Sequence, residues 1–465
     1  MPIEISGHAS SRFGERDAVR LARDLYGLAA AARVLPGEYD DNFQLTTGTG
    51  SAFVLKVMHP GRDRAFVDMQ CRVIEHLAGR VPALALPRVQ RTLGGEAIAT
   101  TQAADGSPRL VWLLSYVPGR LLAETRPHSP ELLRSLGRLL GRMDAALADF
   151  THPAAERELK WDFARAGWIR EHFHRIGDTS RRALVERFLA LYDAEVAPAL
   201  PRLRRSVVHA DANDYNVLVN APHAEPREVV SVIDFGDMLH TVTVAEVAVA
   251  AAYALLDKSD PLSAAAHVVA GYHGAFPLEE AEIALLHPLI CTRLCVSVVN
   301  SACRSAAEPD DPYLGVSERP AWEALERLAA IPPRFAHYVF RQACGLPPVP
   351  ESDEVVRWLR ERAGAFAPVL GVDLRTEPCL VLDLSVGSPM LGADPAALET
   401  PALTETVFRE MRSAGVAVGV GRYDEARPIY TSAAFAPGGN PTDEHRTVHL
   451  GIDLFAAPGT PVSAP

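Results

Sequence analysis

The sequence has few cysteines, and none of them belongs to a paired CxxC motif. There are six in 465 residues. Cys291 and Cys295 are four residues apart in a segment whose apolar spacing is helical, and buried thiols in such a segment pack as small hydrophobic groups. We therefore expect packing thiols, with a metal or redox role as the alternative.

Long apolar runs are also absent. The N-terminal stretch MPIEISGHASSRFGERD lacks the apolar core of a signal peptide. The most apolar run, VAVAAAYALL after Glu246, is much shorter than the roughly 20 residues that cross a bilayer. These features predict a cytoplasmic protein with no membrane partner.

The chain also lacks an excess of positively charged residues. The net charge is −12, which argues against nucleic acid as a general partner because phosphate contact favours basic surfaces. Hydrophobic residues make up 48% and charged residues 22%, as in an ordinary globular protein. No internal repeat or low-complexity tract is visible, and the length suggests roughly two to four domains.

The order of patterns along the chain predicts an α+β, two-lobed architecture. Residues 1–114 mix helix and strand: a helix around Asp17 to Ala32, strands at VLPGEYDDNFQLTT and AFVLKVM, and a helix from Arg64 to Ala78. Residues 115–119 end in Pro-Gly and form a natural hinge, and residues 120–365 are mainly helical. A cleft between two lobes is a usual place for a ligand.

Residues 366–465 have a different composition. PCLVLDLSV, GVAVGVGRY, RPIYTSAAF and TVHLGIDLF are predicted strands separated by Gly, Pro and Asp. We interpret this region as a linker followed by part of a β-rich third domain.

Four side chains supply what phosphoryl transfer requires. Such a reaction needs a cation on the nucleotide phosphates, oxygen ligands for magnesium, and a carboxylate that orients the attacking hydroxyl. Lys56 lies in a predicted strand, Asp211 lies in SVVHADANDYNVLVN with Asn216 five residues later, and Asp234 follows the strand of VVSVIDFGD. The spacing from Asp211 to Asn216 matches the catalytic loop of protein kinases, and oxygen ligands suit Mg²⁺. The structural alternatives are a paired buried carboxylate network and a solvent-facing lysine.

These segments resemble the aminoglycoside phosphotransferase group of small-molecule kinases, which shares the protein-kinase-like fold. VIDFGDMLHTVTVAEVAVAAAYALL and RLCVSVVNSA are most similar to its hydroxylysine kinase branch, and the resemblance covers about residues 15 to 365. It implies a small β-rich N-lobe, a helical C-lobe, and use of Mg²⁺ with ATP or GTP. The roles that it implies are catalytic base for Asp211, magnesium ligands for Asn216 and Asp234, nucleotide contacts for Lys56, Gln70, Ser115 and Val117, and a structural role for His209.

Two features depart from the pattern of protein kinases. Gln70 occupies the position where a glutamate partner of Lys56 is expected, with Asp68 and Glu75 nearby. The loop LPGEYDDNF has one glycine where protein kinases have several. The nearby GTGS is not followed by GK[ST], so a hairpin turn explains it better than a nucleotide motif.

The acceptor site is predicted less directly. A substrate ammonium needs carboxylates near the cleft, and Asp237, Glu246 and Asp162 are the candidates. The alternative for Glu246 is a paired group within an apolar helix.

The segment TVHLGIDLFAAPGTPVSAP resembles the part of lysostaphin-type zinc metallopeptidases that contains their first His and Asp ligands. Here these are His449 and Asp453, which lie about 13 Å apart on one face if the strand is fully extended. Gly451 could permit a bend that brings them together. No histidine follows His449, so we expect at most an incomplete zinc site here and zinc only in a longer protein; a strand His and Asp without metal is the alternative.

The order of kinase-like and peptidase-like segments resembles that of bacterial fusion proteins that also contain a class-III, pyridoxal-phosphate-dependent aminotransferase. The resemblance implies that downstream domains of a longer polypeptide are partners of this chain. We predict a Mg²⁺-dependent kinase for the hydroxyl of a small, amine-bearing metabolite. The alternatives are an aminoglycoside-type antibiotic phosphotransferase, a kinase-like binding module without turnover, and a cell-wall peptidase.

Overall fold

The computed structural model describes residues 12–37, 39–221, 224, 226–307, 318–365, 368–392, 394–431, 435 and 446–463. The chain forms two compact units. The first comprises the described residues through Ala166 together with Arg202–Tyr253 and Gly271–Pro277, and the second comprises the remainder. The domain boundaries expected from the sequence stay a prediction.

The helices and strands alternate in the first third of the chain and become mainly helical afterwards. Up to residue 147 they are α1 (Glu15–Tyr26), β1 (Ala30–Leu35), β2 (Asp41–Thr47), β3 (Ala52–Val57), α2 (Arg64–Arg80), β4 (Val89–Gln90), β5 (Ala99–Gln102), β6 (Pro108–Ser115), β7 (Arg120–Leu121) and α3 (Pro130–Leu147). Those that follow are α4 (Thr179–Leu191), β8 (Arg205–Val208), β9 (Val217–Val219), β10 (Val229–Val232), β11 (Leu239–Val242), α5 (Ala245–Ala254), α6 (Pro261–Ala275), α7 (Glu280–Ala307), α8 (Glu318–Ala329), α9 (Pro333–Ala343), α10 (Ser352–Glu361), β12 (Cys379–Leu382), α11 (Thr400–Ala414), β13 (Val418–Gly421), β14 (Glu425–Ala426), β15 (Val448–His449) and β16 (Asp453–Phe455).

An antiparallel sheet of six strands dominates the first part of the first unit. Its order is β1-β2-β3-β6-β4, with β5 also paired to β6. Helix α1 packs on one face, where its apolar side chains meet Leu55 and Val57 of β3. Because neighbouring side chains of a strand point to opposite faces, Lys56 lies on the face away from α1.

Helix α1 is shorter than the sequence predicts. It ends at Tyr26 because Gly27 adopts φ 67°, a left-handed conformation typical of a residue that stops a helix. The alanines that follow have good helix propensity, but Ala30 pairs with Thr47 of β2 instead. Strand pairing therefore overrides local propensity between Ala30 and Ala32.

Short buried strands position the two polar segments of the first unit. β8 pairs with β11, and β9 pairs with β7 and β10, all antiparallel. β8 ends immediately before His209, and β10 ends two residues before Asp234. Both polar segments therefore begin where a buried strand releases the chain.

Helix α7 is the longest helix of the second unit among the described residues. By length and composition Glu280–Ser305 could cross a membrane, but 89% of its most apolar window is buried within the structure. It packs against α4, α8 and α9. A helix at the centre of a folded core has the same properties.

The last part of the second unit contains the predicted β-rich region. β12, β13 and β16 form a sheet whose first pair is parallel, and β14 pairs with β15. The predicted strand at TVHLGIDLF is wrong in its middle, because the chain leaves β15 and joins a different sheet as β16. In RPIYTSAAF the segment Pro428–Thr431 is 3-10 helix, and residues 432–434 lie outside the described residues.

Candidate active site

An ion pair between Lys56 and Asp234 lies at the centre of the site, although the two residues are 178 positions apart. Nζ of Lys56 lies 3.3 Å from Oδ1 of Asp234. The lysine side chain is 13% exposed, and its ammonium lies 5.8 Å from the centre of the ring of Trp112, its cross-strand neighbour on β6. Lys56 is therefore not a solvent-facing strand lysine.

The Asp234 carboxylate is accessible despite this partner. Its side chain is 53% exposed, and Lys56 lowers its pKa below the ordinary value. The residue has φ 61°, and its Oδ1 also accepts a hydrogen bond from Gly236 N at 3.3 Å. An aspartate in this backbone conformation costs about 1–3 kcal/mol and persists where the surroundings impose it, which is common at functional sites.

The loop after β8 fixes the carboxylate of Asp211 from both sides. Nδ2 of Asn216 donates to Oδ2 at 2.7 Å and to the backbone oxygen of Asp211 at 3.0 Å. Nδ2 of Asn213 donates to Oδ1 at 3.0 Å. The five-residue spacing seen in the sequence thus produces a direct contact, because the loop closes on itself.

His209 links this loop to the segment that precedes Asp234. Nε2 of its ring lies 3.2 Å from the carbonyl oxygen of Ile233, and Nδ1 accepts a hydrogen bond from Asp211 N at 3.4 Å. Burial lowers the pKa of His209 to about 4, so the ring is neutral and Nε2 carries the donated hydrogen. The backbone nitrogen of Ile233 donates to the oxygen of Asn216 at 2.8 Å, which adds a second link.

A family model described as "Phosphotransferase enzyme family" matches residues 31–285, more than half of the chain. A hydroxylysine kinase of Danio rerio is 30% identical over 321 residues, which cover 66% of this chain and 89% of that protein. The chain belongs to this phosphotransferase family. It is a small-molecule kinase, and the expectation of such an enzyme is confirmed.

Two solved structures of kinases are similar to this chain in fold. A microcompartment-associated aminopropanol kinase has a TM-score of 0.53 and 18% identity, covering 72% of this chain and 100% of its own. An amicoumacin kinase in complex with AMP-PNP, Ca²⁺ and Ami has a TM-score of 0.51 and 15% identity, covering 68% of this chain and 94% of its own. The predicted α+β, two-lobed kinase-like fold is confirmed.

Glu246 supports the loop that contains Asp211. It is completely buried, and its Oε2 accepts a hydrogen bond of 2.8 Å from the backbone nitrogen of Ala210. Ala210 has φ 62°, so Ala210 and Asp234 are the non-glycine residues with positive φ in the described part of the first unit. Glu246 is one of three candidates from the sequence for the acceptor ammonium, with a paired group within an apolar helix as the alternative, and its bond to the backbone beside Asp211 agrees with the alternative.

The other two predicted acceptor carboxylates are engaged with the chain as well. Oδ1 of Asp162 accepts from the hydroxyl of Thr241 at 2.7 Å and from Ala164 N at 3.2 Å. Asp237 ends the short 3-10 turn Phe235–Asp237 and interacts electrostatically with Arg157. Of the three, Asp237 is the one that the structure leaves next to Asp234 in the same turn.

The glutamate partner expected for Lys56 is replaced by a residue that makes no such contact. Gln70 lies on the buried face of α2 with 1% exposure, and its Nε2 has no hydrogen-bond partner within the described chain. Glu75 binds Arg91, and Asp68 binds Arg72. None of the three side chains named from the sequence contacts Lys56.

The predicted hinge begins where β6 ends. Ser115 exchanges hydrogen bonds with Arg88, through its backbone nitrogen at 2.8 Å and its Oγ at 2.9 Å. Tyr116 N donates to the oxygen of Ala52 at 3.0 Å. The side-chain hydroxyl and the backbone nitrogen of Ser115 are therefore both bound to Arg88, and the nucleotide contacts expected at Ser115 and Val117 stay predictions.

Asp234 and Asn216 offer oxygen donors of the kind that a hard divalent cation takes. Asp234 offers an exposed carboxylate, and Asn216 offers its amide oxygen because its Nδ2 is the group that binds Asp211. Mg²⁺ in kinases is held by one or two such protein oxygens together with substrate phosphates and water. Within the described ranges no group of three or more His, Cys, Asp or Glu side chains is placed to hold a metal by itself.

The tail brings His449 and Asp453 together but gives them other partners. The break in the predicted strand leaves Nε2 of His449 3.3 Å from Oδ1 of Asp453. A Cβ at Gly451 would lie 3.1 Å from Nε2 of His449, so the bend suits a glycine. Oδ2 of Asp453 is bound by Nη1 of Arg427 at 2.5 Å, and Nδ1 of His449 lies 2.8 Å from the hydroxyl of Tyr430.

Proposed function

We propose that the chain transfers the γ-phosphoryl group of ATP or GTP, with Mg²⁺, to the hydroxyl of a small amine-bearing metabolite of the hydroxylysine or amino-alcohol type. The observation that carries the proposal is the 3.3 Å contact that joins Lys56 to Asp234, beside a loop that fixes Asp211. The name of the Danio rerio relative supports the acceptor class. The names of the two kinase structures, with an amino alcohol in one and AMP-PNP and Ca²⁺ in the other, are in keeping with it.

In this mechanism Asp211 accepts the proton of the acceptor hydroxyl. The hydroxyl oxygen forms a bond to the γ-phosphorus while the bond to the oxygen that bridges the β- and γ-phosphates breaks, and ADP or GDP leaves. Asn216 and Asn213 hold the two oxygens of the Asp211 carboxylate by hydrogen bonds and so fix its direction. Positioning of this kind is the main protein contribution to phosphoryl transfer.

The proposal assigns Lys56 to the phosphates of the nucleotide. Its ammonium neutralises Asp234 in the chain alone and is placed to bind nucleotide phosphates. Asn216 and Asp234 would hold Mg²⁺, whose chemistry when bound is to neutralise charge on the phosphates. Asp237 remains a proposed contact for the acceptor ammonium, and Gln70, Ser115 and Val117 remain proposed neighbours of the nucleotide.

A coupled assay of ADP and GDP release tests this function. The panel should contain 5-hydroxylysine, 1-amino-2-propanol and kanamycin, each with ATP and with GTP, and with Mg²⁺ either present or chelated. We expect Mg²⁺-dependent turnover with one of the first two acceptors. Preferred turnover of kanamycin would favour an antibiotic phosphotransferase, and nucleotide binding without any turnover would favour a binding module.

We also propose that residues 366–465 form part of a domain similar to lysostaphin-type peptidases. The approach of His449 to Asp453 supports this. Because Arg427 forms an ion pair with the Asp453 carboxylate, we expect elemental analysis of the purified, dialysed protein to find well under one equivalent of zinc. Stoichiometric zinc that His449→Ala removes would contradict this.

A further inference from the structure

Arg157 contacts the turn after Asp234, although no sequence motif marks it. Its Nη1 donates to the oxygen of Gly236 at 3.2 Å. Its guanidinium carbon lies 3.9 Å from the centre of the ring of Phe66, a buried residue in the first turn of α2. We propose that Arg157 is a positioning residue that holds the carboxylate of Asp234 in place for the metal and couples it to α2.

Gly236 is the residue through which Arg157 acts. The nitrogen of Gly236 donates to Oδ1 of Asp234, and the oxygen of Gly236 accepts from Arg157, so the glycine is held on both sides. Asp234 keeps a costly backbone conformation, with φ 61°. Such a conformation persists only where neighbouring contacts impose it, and the Arg157 hydrogen bond is one of those contacts.

The surroundings of Arg157 are suited to hold a cation in one position. Burial lowers its pKa, the carboxylate of Asp237 opposes this shift, and the nearby cation of Arg62 adds to it. An arginine stays protonated at neutral pH, so the guanidinium is a fixed charge. Its planar shape permits stacking on Phe66 and donation to Gly236 at the same time, which a lysine could not reproduce fully.

A second contact connects the same segment to α2. Nε2 of His152 lies 3.4 Å from Oδ2 of Asp68, one turn or less from Phe66 along the helix. Residues 152–157 therefore touch α2 at two points and the metal-binding turn at one. Arg157 therefore connects α2 to the turn that carries Asp234. This inference rests on the proposed function, since it assigns the metal to Asp234.

Metal affinity, measured without turnover, tests the inference. Mn²⁺ serves as the probe in the presence of AMP-PNP, and free Mn²⁺ is quantified by electron paramagnetic resonance. We expect Arg157→Met to raise the Kd for Mn²⁺ by about 10- to 100-fold, as loss of an outer partner of a ligand commonly does. Arg157→Lys, which keeps a charged donor, should recover part of the affinity.

Arg80→Met is the matched control. Arg80 lies at the C-terminal end of α2, where it binds Asp149 and, unlike Arg72, shares no carboxylate with His152. The control should keep wild-type affinity. Wild-type affinity in Arg157→Met as well would overturn the inference and leave the proposed function standing, whereas wild-type protein that binds no Mn²⁺ with AMP-PNP contradicts the proposed function itself.

Phe66→Leu covers the case in which Arg157→Met does not fold. This change removes the aromatic platform and leaves the Arg157 side chain intact, so we expect a smaller loss of Mn²⁺ affinity. If Phe66→Leu and Arg157→Met both fold, their effects should combine to less than the product of the two fold-changes, because they act through one contact. Unchanged affinity in Phe66→Leu, or fully multiplicative effects, would contradict the coupling to α2.

Discussion

Two regions of the molecule each pair an aspartate with a cation, yet they differ in what they leave available. In the first unit Asp234 is 53% exposed and is paired with Lys56. In the second unit Asp453 is 34% exposed and is paired with Arg427, a side chain that is only 7% exposed and also binds Glu425 at 2.8 Å. One aspartate keeps oxygen lone pairs for a ligand, and the other belongs to a closed network.

The choice of cation follows the same division. A lysine ammonium is a single mobile charge that can exchange a carboxylate for a phosphate. Arg427 instead distributes its fixed donors among Glu425, Asp453 and the backbone oxygen of Arg422. An accessible carboxylate and a mobile cation therefore distinguish the candidate site from the structural ion network, although both contain the same residue types.

The largest expected effect is that of Asp211→Asn. Loss of general-base action costs roughly 10² to 10⁴ in rate, so kcat should fall by at least about 100-fold while nucleotide binding persists. The coupled assay and nucleotide-dependent thermal stabilisation measure the two properties. Asp214→Asn, on the same loop, is the matched control and should stay within a few-fold of wild type. Unchanged turnover in Asp211→Asn would remove this residue from the mechanism.

Arg427→Met should produce a loss of stability instead. It leaves the buried Glu425 and the partly buried Asp453 without their shared cation, and breaking a buried pair costs about 3–5 kcal/mol. Arg422→Met, which removes a half-exposed partner of Glu425, should cost about 1 kcal/mol or less. Denaturant unfolding measures both. If Arg427→Met also lowered kcat in the folded protein, the two regions would not be functionally separate.

Sequence reasoning succeeded where local pattern and function coincide. The strand of Lys56 and the helix from Arg64 were predicted nearly as they are, because short alternating and helical patterns were bounded by clear breaks. The contact between Asn216 and Asp211 follows from their spacing, since a short loop after a buried strand returns on itself. These parts depend little on distant partners.

Sequence reasoning failed where the partner is remote. TVHLGIDLF alternates as one strand would, but its two halves pair with β14 and β13, and no local signal specifies that change. The carboxylate of Asp162 binds Thr241, which is 79 residues away. Arg157 was missed for the same reason, because only the folded chain places it on Gly236.

His287 adds a third environment to the comparison, because burial and not a neighbouring carboxylate determines whether this side chain is protonated. Burial lowers its pKa from 6.5 to about 4. Between pH 6.5 and 4 the unfolded chain therefore binds more protons at this histidine than the folded chain does. The free energy of unfolding is thus not reduced by His287 above about pH 6.5, and it falls as the pH drops towards 4. At 1.36 kcal/mol per pH unit the loss is about 3 kcal/mol. Unfolding measured across this range in wild type and His287→Met should differ in slope, and parallel curves would contradict the shift.

The smallest expected effect compares two buried glutamates that each accept a backbone N–H. Oε2 of Glu246 binds Ala210 at 2.8 Å, and Oε1 of Glu425 binds Leu384 at 3.1 Å. Replacement by glutamine keeps an acceptor and removes the charge, at a cost of about 1–2 kcal/mol per hydrogen bond weakened. In Glu246→Gln this cost falls on the backbone beside Asp211, so kcat should fall by roughly tenfold with KM nearly unchanged. In Glu425→Gln the ion pairs with Arg427 and Arg422 are lost as well, so the free energy of unfolding should fall by more than this while kcat stays as it was. Steady-state kinetics and denaturant unfolding on both variants would decide, and equal kinetic losses in the two would mean that the bond from Glu246 to Ala210 is structural only.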